Sequence, residues 1–199
     1  AEIDYARFAS AYRRELEHMA KAYAAGRYLD SIFFGGGTPS LMPAWLVEGI
    51  IANAERLFGL APDVEITAEA NPTSSEAKTF AGFRAAGVNR LSLGVQSLRD
   101  EALTFLEREH SAQEALGALR VARQTFDRLS IDMIYAREDQ RLADWTEELQ
   151  MALDLGLDHM SLYQLTIEPG TGFHTRARQG DILTADDGLA ADMYTETDR

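Results

Sequence analysis

The feature that most restricts what this chain can fold into is a period. Five short runs rich in β-branched and aromatic residues recur along it, Ser31 to Phe34, Val64 to Ala70, Arg90 to Val95, Leu129 to Tyr135 and His159 to Ile167. Their first residues, 31, 64, 90, 129 and 159, are separated by 33, 26, 39 and 30 positions, close to the roughly 30 of a strand plus its crossover helix. That spacing predicts parallel strands joined by helices rather than hairpins. The intervening segments carry helix signals. Pro43 to Phe58 opens with Pro in the first turn, and Ser75 to Ala86 has Ser74 or Ser75 as its cap and stops at Gly87. Ser111 caps Ala112 to Phe126 with Glu114 three residues on, and Leu142 to Leu155 ends at Gly156.

An amphipathic segment, Tyr5 to Ala25, precedes the first run. In a βα array a helix follows a strand, so the pattern predicts another strand and loop upstream of Ala1. At about 30 residues a unit, six units come to about 180 residues, short of the ~250 of an eightfold barrel. The expected fold is therefore α/β, a partial (β/α)6 TIM-like barrel of parallel strands with its first strand missing. It forms one domain over residues 1–199, with 184–199 starting a connection to a further domain. Trp45 and Trp145 are expected as core anchors. The acidic stretch Asp181 to Asp198 is expected as a helix with Leu189, Met193 and Tyr194 turned inward.

Composition excludes several function classes. A chain of 199 residues, 46% apolar and 26% charged, can bury a sizeable core. Nineteen Lys and Arg against 32 Asp and Glu leave a net charge of -13, which repels a phosphate backbone, so no nucleic-acid partner is expected. There is no apolar run of the ~20 residues a membrane span needs, and Ala1-Glu2-Ile3-Asp4 has no signal-peptide character, which reads as cytoplasmic. The absence of cysteine excludes disulfides, thiol catalysis and cysteine-ligated zinc or iron–sulfur centres within these residues. His18, His110, His159 and His174 have no metal-ligand spacing and read as surface or satisfied polar groups.

Side chains on a strand alternate between faces. Val64, Ile66, Ala68 and Ala70 oppose Glu65, Thr67 and Glu69. Leu91, Leu93 and Val95 oppose Ser92, Gly94 and Gln96. Leu129, Ile131, Met133 and Tyr135 oppose Ser130, Asp132 and Ile134. Parallel sheets covered by helices are normally apolar on both faces, yet here one face is polar in three strands running. Either it is a solvated face of an open sheet, or it lines a lumen that holds a polar ligand at the carboxyl ends of the strands. Glu69, Gln96 and Asp132 fall late in their strands, which favours the lumen. The strongest local signal is Gly35-Gly36-Gly37-Thr38-Pro39, directly after a strand. Three glycines make sense where backbone must approach a ligand, and the spacing is neither that of a Walker loop nor that of a dinucleotide fingerprint. Arg108, in Leu106-Glu107-Arg108-Glu109-His110, has a surface-charge context.

Taken together, Phe34 to Ser40, Glu69-Ala70-Asn71-Pro72, Asn89 to Ser97, Ser130 to Tyr135 and Leu162-Tyr163-Gln164-Leu165-Thr166-Ile167-Glu168-Pro169-Gly170-Thr171 resemble the radical S-adenosylmethionine (SAM) enzymes of the oxygen-independent coproporphyrinogen III oxidase group. The last run is more similar to that group's heme-chaperone branch than to its true oxidases. The resemblance implies a partial barrel in which a [4Fe-4S] cluster binds SAM through its amino and carboxylate groups and cleaves it to a 5′-deoxyadenosyl radical. It implies that Gly36, Gly37 and Thr38 contact the methionyl amine, which Glu69 also accepts from. Arg108 would pair with the carboxylate, Gln96 and Asp132 would take the ribose hydroxyls, and Gln164 would lie near the adenine. No catalytic residue and no metal ligand is assigned within the chain.

The sequence departs from that pattern twice. The C-x3-C-x2-C motif that ligates the cluster is absent, and by resemblance it belongs just before Ala1, so the chain as it stands does not hold the cluster. Arg137-Glu138-Asp139-Gln140 stands where relatives commonly have a Pro-Gly-Gln turn. The reading is thus the radical SAM core of a heme chaperone, with heme or porphyrin as cargo and heme-acceptor proteins as partners. The alternatives are the oxidase itself, acting in porphyrin biosynthesis, and a non-radical (β/α) domain binding a polar metabolite.

Overall fold

The β-rich runs form strands β1 (Leu29–Phe34), β2 (Leu60–Ala70), β3 (Arg90–Gln96), β4 (Arg128–Tyr135) and β5 (His159–Gln164), hydrogen-bonded in the order β1-β2-β3-β4-β5 in a computed structural model. It describes residues 3–24 and 26–199, without the side chain of Ser75. β1 runs parallel to β2, β2 to β3 and β4 to β5. Helices alternate with them: α1 (Tyr5–Tyr23), α2 (Ala44–Phe58), α3 (Ser74–Ala77), α4 (Phe80–Ala85), α5 (Asp100–Phe105), α6 (Ala112–Thr125), α7 (Leu142–Leu153), α8 (Gly172–Arg178) and α9 (Asp187–Thr197). The α/β class and the parallel strands read from the period are therefore borne out. β5 stops at Gln164 rather than Ile167, because the following residues lead into the Glu168-Pro169-Gly170 turn, closed by Thr171 N–H on the Glu168 carbonyl at 3.3 Å.

Contacts group the chain into two compact units, Ala1–Leu93 with Leu116–Leu129, and Gly94–Ala115 with Ser130–Arg199. In the first, Leu46, Val47, Ile66, Phe80, Phe83, Leu91 and Leu93 are buried, and Phe80 meets Phe126 edge-on at 6.4 Å. Trp45, expected as an anchor, is 53% exposed, because Leu46 and Val47 occupy the inward positions of α2 instead. Pro43 is the extended cap residue of α2 rather than its first helical residue. The segment expected as one helix from Ser75 is two, and Thr73, not Ser74 or Ser75, caps the first: its Oγ1 accepts from Glu76 N–H at 3.3 Å. The break follows from Thr79, whose hydroxyl and N–H both take the Glu76 carbonyl at 2.8 Å and end the helix there. Asp4 caps α1, which ends at Tyr23; the expected end at Ala25 lies outside the described residues.

In the second unit, Ile131, Met133, Tyr135, Trp145, Leu183 and Met193 are buried. Trp145 is fully enclosed as expected, stacked on Tyr135 at 4.7 Å, and donates its indole N–H to Thr197 Oγ1 at 2.8 Å. Tyr194 is 61% exposed and not inward as expected, since successive helical residues turn about 100° and Met193 takes the buried direction. The acidic stretch is helical only from Asp187, where Asp186 caps; Asp181 instead pairs with Arg176. Ser111 and Glu114 cap α6 reciprocally, as read from sequence.

Candidate ligand site

The polar strand face is largely enclosed, not solvated: Thr67, Ser92 and Ser130 are only 2%, 5% and 2% exposed, and Glu69, Gln96 and Asp132 are half-buried. In the first unit β1 runs into the glycine turn. Gly36 and Gly37 have φ of 77° and 59°, a left-handed backbone that side chains disfavour. A Cβ at Gly35 would stand 2.8 Å from Phe33 Cε1 and 3.2 Å from Glu69 Oε1, so the missing side chain is what allows this strand end to close on Glu69. The Gly36 N–H donates to Glu69 Oε2 at 3.1 Å. Glu69 Oε1 carries no hydrogen bond among the described residues and is left to accept. Thr38 opens the short 3-10 turn Pro39–Leu41. The loop also borders a cavity of about 610 Å³ whose remaining walls, Tyr5, Phe8, Tyr12 and Leu46 among them, are mostly apolar.

A residue missed in the sequence reading holds this corner. Glu76, 9% exposed, accepts from Asn71 N–H at 2.7 Å, from Asn71 Nδ2 at 3.0 Å and from Ser40 Oγ, tying the turn after β2 to the turn after β1. The Thr73-x-x-Glu76 spacing of a helix cap was its only sequence signal, and here the carboxylate reaches beyond its own helix.

In the second unit β3 ends at Gln96, a non-glycine residue at φ 68°. Glu107, at φ 54°, immediately precedes Arg108. Arg108 is exposed, makes no ion pair among the described residues, and lines a cavity of about 390 Å³ with Ile134, Tyr163, Gln164 and Phe173. Gln96 and Asp132 are not among its walls. Asp132 stands opposite Ser161 across the β4–β5 ladder. Gln164 also closes the structure around it, donating from Nε2 to the Ala190 carbonyl at 3.0 Å. Burial pushes the Tyr135 phenol up, against hydrogen bonds from Thr197 and Gln164 that lower it. His110 is buried, with Nε2 at 3.0 Å from the Val95 carbonyl, the satisfied polar role expected of it.

Behind Gln96 lies a second feature invisible in the sequence. Glu148 of α7, with no exposed surface, accepts from Ser97 Oγ, from Leu98 N–H at 2.9 Å and from Arg137 Nη2 at 3.0 Å. Arg137 also donates to the Ile134 carbonyl. The residues replacing the Pro-Gly-Gln turn thus build a turn of another kind: Asp139 supplies the left-handed position at φ 59°, Gln140 N–H returns to the Arg137 carbonyl at 3.2 Å, and the Arg137 side chain turns inward.

A parallel α/β array with a glycine turn directly after its first strand is the setting of the radical SAM fold, and the chain belongs to the radical SAM superfamily, whose family model matches residues 9–152. It is 42% identical over 169 residues to the heme chaperone HemW of Escherichia coli strain K12, covering 84% of this chain and 44% of that protein. It is 44% identical over 171 residues to the mitochondrial radical S-adenosyl methionine domain-containing protein 1 of Bos taurus, covering 85% and 39% respectively. Its fold matches coproporphyrinogen III oxidase (HemN) of Escherichia coli, a radical SAM enzyme, with a TM-score of 0.79 and 27% identity over 97% of this chain and 44% of that one. The partial radical SAM barrel expected from the sequence is therefore the fold class of this chain, which spans less than half the length of these relatives.

The family implies SAM and a [4Fe-4S] cluster, and the two fare differently against the residues present. No cysteine occurs in the 199 residues, so they supply no thiolate to a cluster. Taken unit by unit, the residues present suit the two ends of an amino acid: in the first, an acceptor oxygen on Glu69 beside an exposed glycine backbone suits an ammonium, and in the second the Arg108 guanidinium, with no ion pair among the described residues, suits a carboxylate. Among the described residues no helix is long and apolar enough to cross a membrane.

Proposed function

We propose that residues 1–199 are the radical SAM core of a HemW-type heme chaperone, a cytoplasmic protein that binds heme and passes it to acceptor proteins. The observation that carries this reading is the 42% identity to the Escherichia coli HemW, against 27% to its HemN. SAM, when bound, supplies one-electron chemistry with a cluster whose ligands are not among these residues. The chain's own contribution is to bind and orient it. Glu69 Oε1 and the backbone of Gly36, Gly37 and Thr38 hold the methionyl ammonium, and Arg108 pairs with the carboxylate. Gln96 and Asp132 accept from the ribose hydroxyls, and Gln164 borders the adenine.

Full-length protein, reconstituted anaerobically, provides the test. Heme titration followed by its absorption band is expected to saturate, and incubation with coproporphyrinogen III is expected to leave it unconverted. Conversion to protoporphyrinogen IX without heme binding overturns the chaperone reading in favour of the oxidase, the second reading, which the TM-score of 0.79 to HemN favours. For the pocket, calorimetric titration with SAM is expected to show weakened binding in Glu69→Ala and Asp132→Ala; unchanged affinity in both contradicts the assignment.

A further inference from the structure

We propose that Glu148 is a positioning residue for Gln96, acting through the Ser97–Leu98 backbone with Arg137 as its fixed counter-charge. The inference rests on the reading of Gln96 as a ribose contact and names what sets that contact's geometry.

The argument starts from two anomalies within one compact unit. The first is backbone: Gln96 sits at φ 68°, a conformation that side-chain-bearing residues disfavour and that persists only where the surroundings impose it. The second is burial: α7 turns Trp145, Leu149 and Ala152 inward, and between them, on the same face, it turns in a carboxylate with no exposed surface. An apolar residue there would pack without any desolvation cost, and a buried ion pair is weak evidence of stabilisation. What the charge does instead is local and directional. Oε1 takes both donors of the turn that follows Gln96, the Ser97 hydroxyl and the Leu98 N–H, while Oε2 takes the guanidinium of Arg137.

The two residues after Gln96 are thus fixed in place, and the left-handed backbone at Gln96 is the conformation compatible with them. Arg137 follows Asp132 by five residues and leaves β4 through Ala136, itself at φ 59°. One carboxylate thereby ties together the ends of the two strands that carry the proposed ribose ligands. Glu148 touches no ligand in this scheme; its effect reaches SAM only through Gln96.

A double-mutant cycle on the full-length, cluster-loaded protein tests this, with the dissociation constant of SAM read by calorimetry and methionine, which lacks the ribose, as the second titrant. Gln96→Ala and Glu148→Gln are each expected to weaken SAM about tenfold, and the double variant is expected to bind no more weakly than the worse single one. Methionine binding is expected to stay unchanged in all three, which general unfolding would not allow. Losses that multiply in the double variant, or a folded Glu148→Gln with wild-type SAM affinity, overturn the proposal. If Glu148→Gln does not fold, Ser97→Ala removes one donor from the same carboxylate. It is expected to weaken SAM about threefold in the wild-type background and not at all in Gln96→Ala; an equal loss in both backgrounds overturns the proposal. An unchanged SAM affinity in Gln96→Ala alone overturns the ribose assignment itself, and is distinguishable because Glu148 and Ser97 are not varied in that arm.

Discussion

The two compact units end their strands by different means. In the first, the turn after β1 takes its left-handed positions from Gly36 and Gly37, and the buried Glu76 that braces the corner is satisfied by Asn71 and Ser40 without a cation. In the second, the left-handed positions at the end of β3 and in the turn after β4 are Gln96, Ala136 and Asp139, none of them glycine, and the buried Glu148 is matched by Arg137. Both carboxylates accept from a serine hydroxyl and a backbone N–H of a strand-end turn. The difference lies in what each corner must present. On the proposed SAM reading, the first corner presents backbone, which needs no side chain, whereas the second offers an amide side chain at φ 68° and has to carry the strain and be held against it.

Removing the braces separates the two designs. Glu148→Ala strands the Arg137 guanidinium in the interior, and a loss of about 3–5 kcal/mol in unfolding free energy by urea denaturation is expected. Glu76→Ala leaves three donors unsatisfied but no buried charge, so its expected loss is about 2–3 kcal/mol. If the order is reversed, the ion pair is not what distinguishes the second corner. Smaller effects test the backbone. Gly36→Ala puts a Cβ at φ 77° with nothing within 4 Å, so the cost is conformational alone, about 1–2 kcal/mol. Gln96→Gly is expected to do the opposite, relieving strain for a gain of about 0.5–1 kcal/mol while weakening SAM binding. A Gln96→Gly variant that loses stability removes the strain from the comparison.

The strand period, the parallel pairing and the glycine turn were legible in the sequence because each has a local signature: β-branched runs at fixed spacing, and three glycines that no regular element tolerates. Glu69 was legible for the same reason, as a carboxylate on a strand whose opposite face is apolar. Glu148 was not, since a single acidic residue on a helix reads as solvent-facing and its partners lie 50 residues away at Leu98 and 11 away at Arg137. Trp45 misled for the converse reason: size alone does not decide which of three adjacent apolar residues faces inward, and Leu46 and Val47 did. Arg137 looked like the loss of a turn, because its role exists only once α7 is packed beside it.

The smallest expected effect concerns charges at the surface of each unit, and its sign follows from the direction of each shift. Burial pushes the Glu65 carboxyl up, but the hydrogen bond and charge of Arg90, with Thr67 and Arg128, bring it net below the ordinary 4.5. Asp144 is held down from 3.8 to about 2, chiefly by the side-chain hydrogen bonds of Arg141 at the start of α7. Groups with a depressed folded value stabilise the native state above their unfolded value, and that contribution disappears as pH falls through the folded one. Stability measured by denaturant is therefore expected to be flat above about pH 5 and to decline below it. The Asp144 part is present above 3.8 and gone below about 2. Asp144→Asn should flatten only the most acidic part of that decline, while Glu65→Gln should act at higher pH and in the first unit alone. The Arg141–Asp144 pair is the more exposed and the Glu65–Arg90 pair is half-buried, so salt screens the first more than the second. Repeating the measurement in 1 M salt should shrink both differences and leave the loss caused by Glu148→Ala nearly unchanged; an equal salt response would place Glu148 among the surface charges and undo the contrast between the two corners.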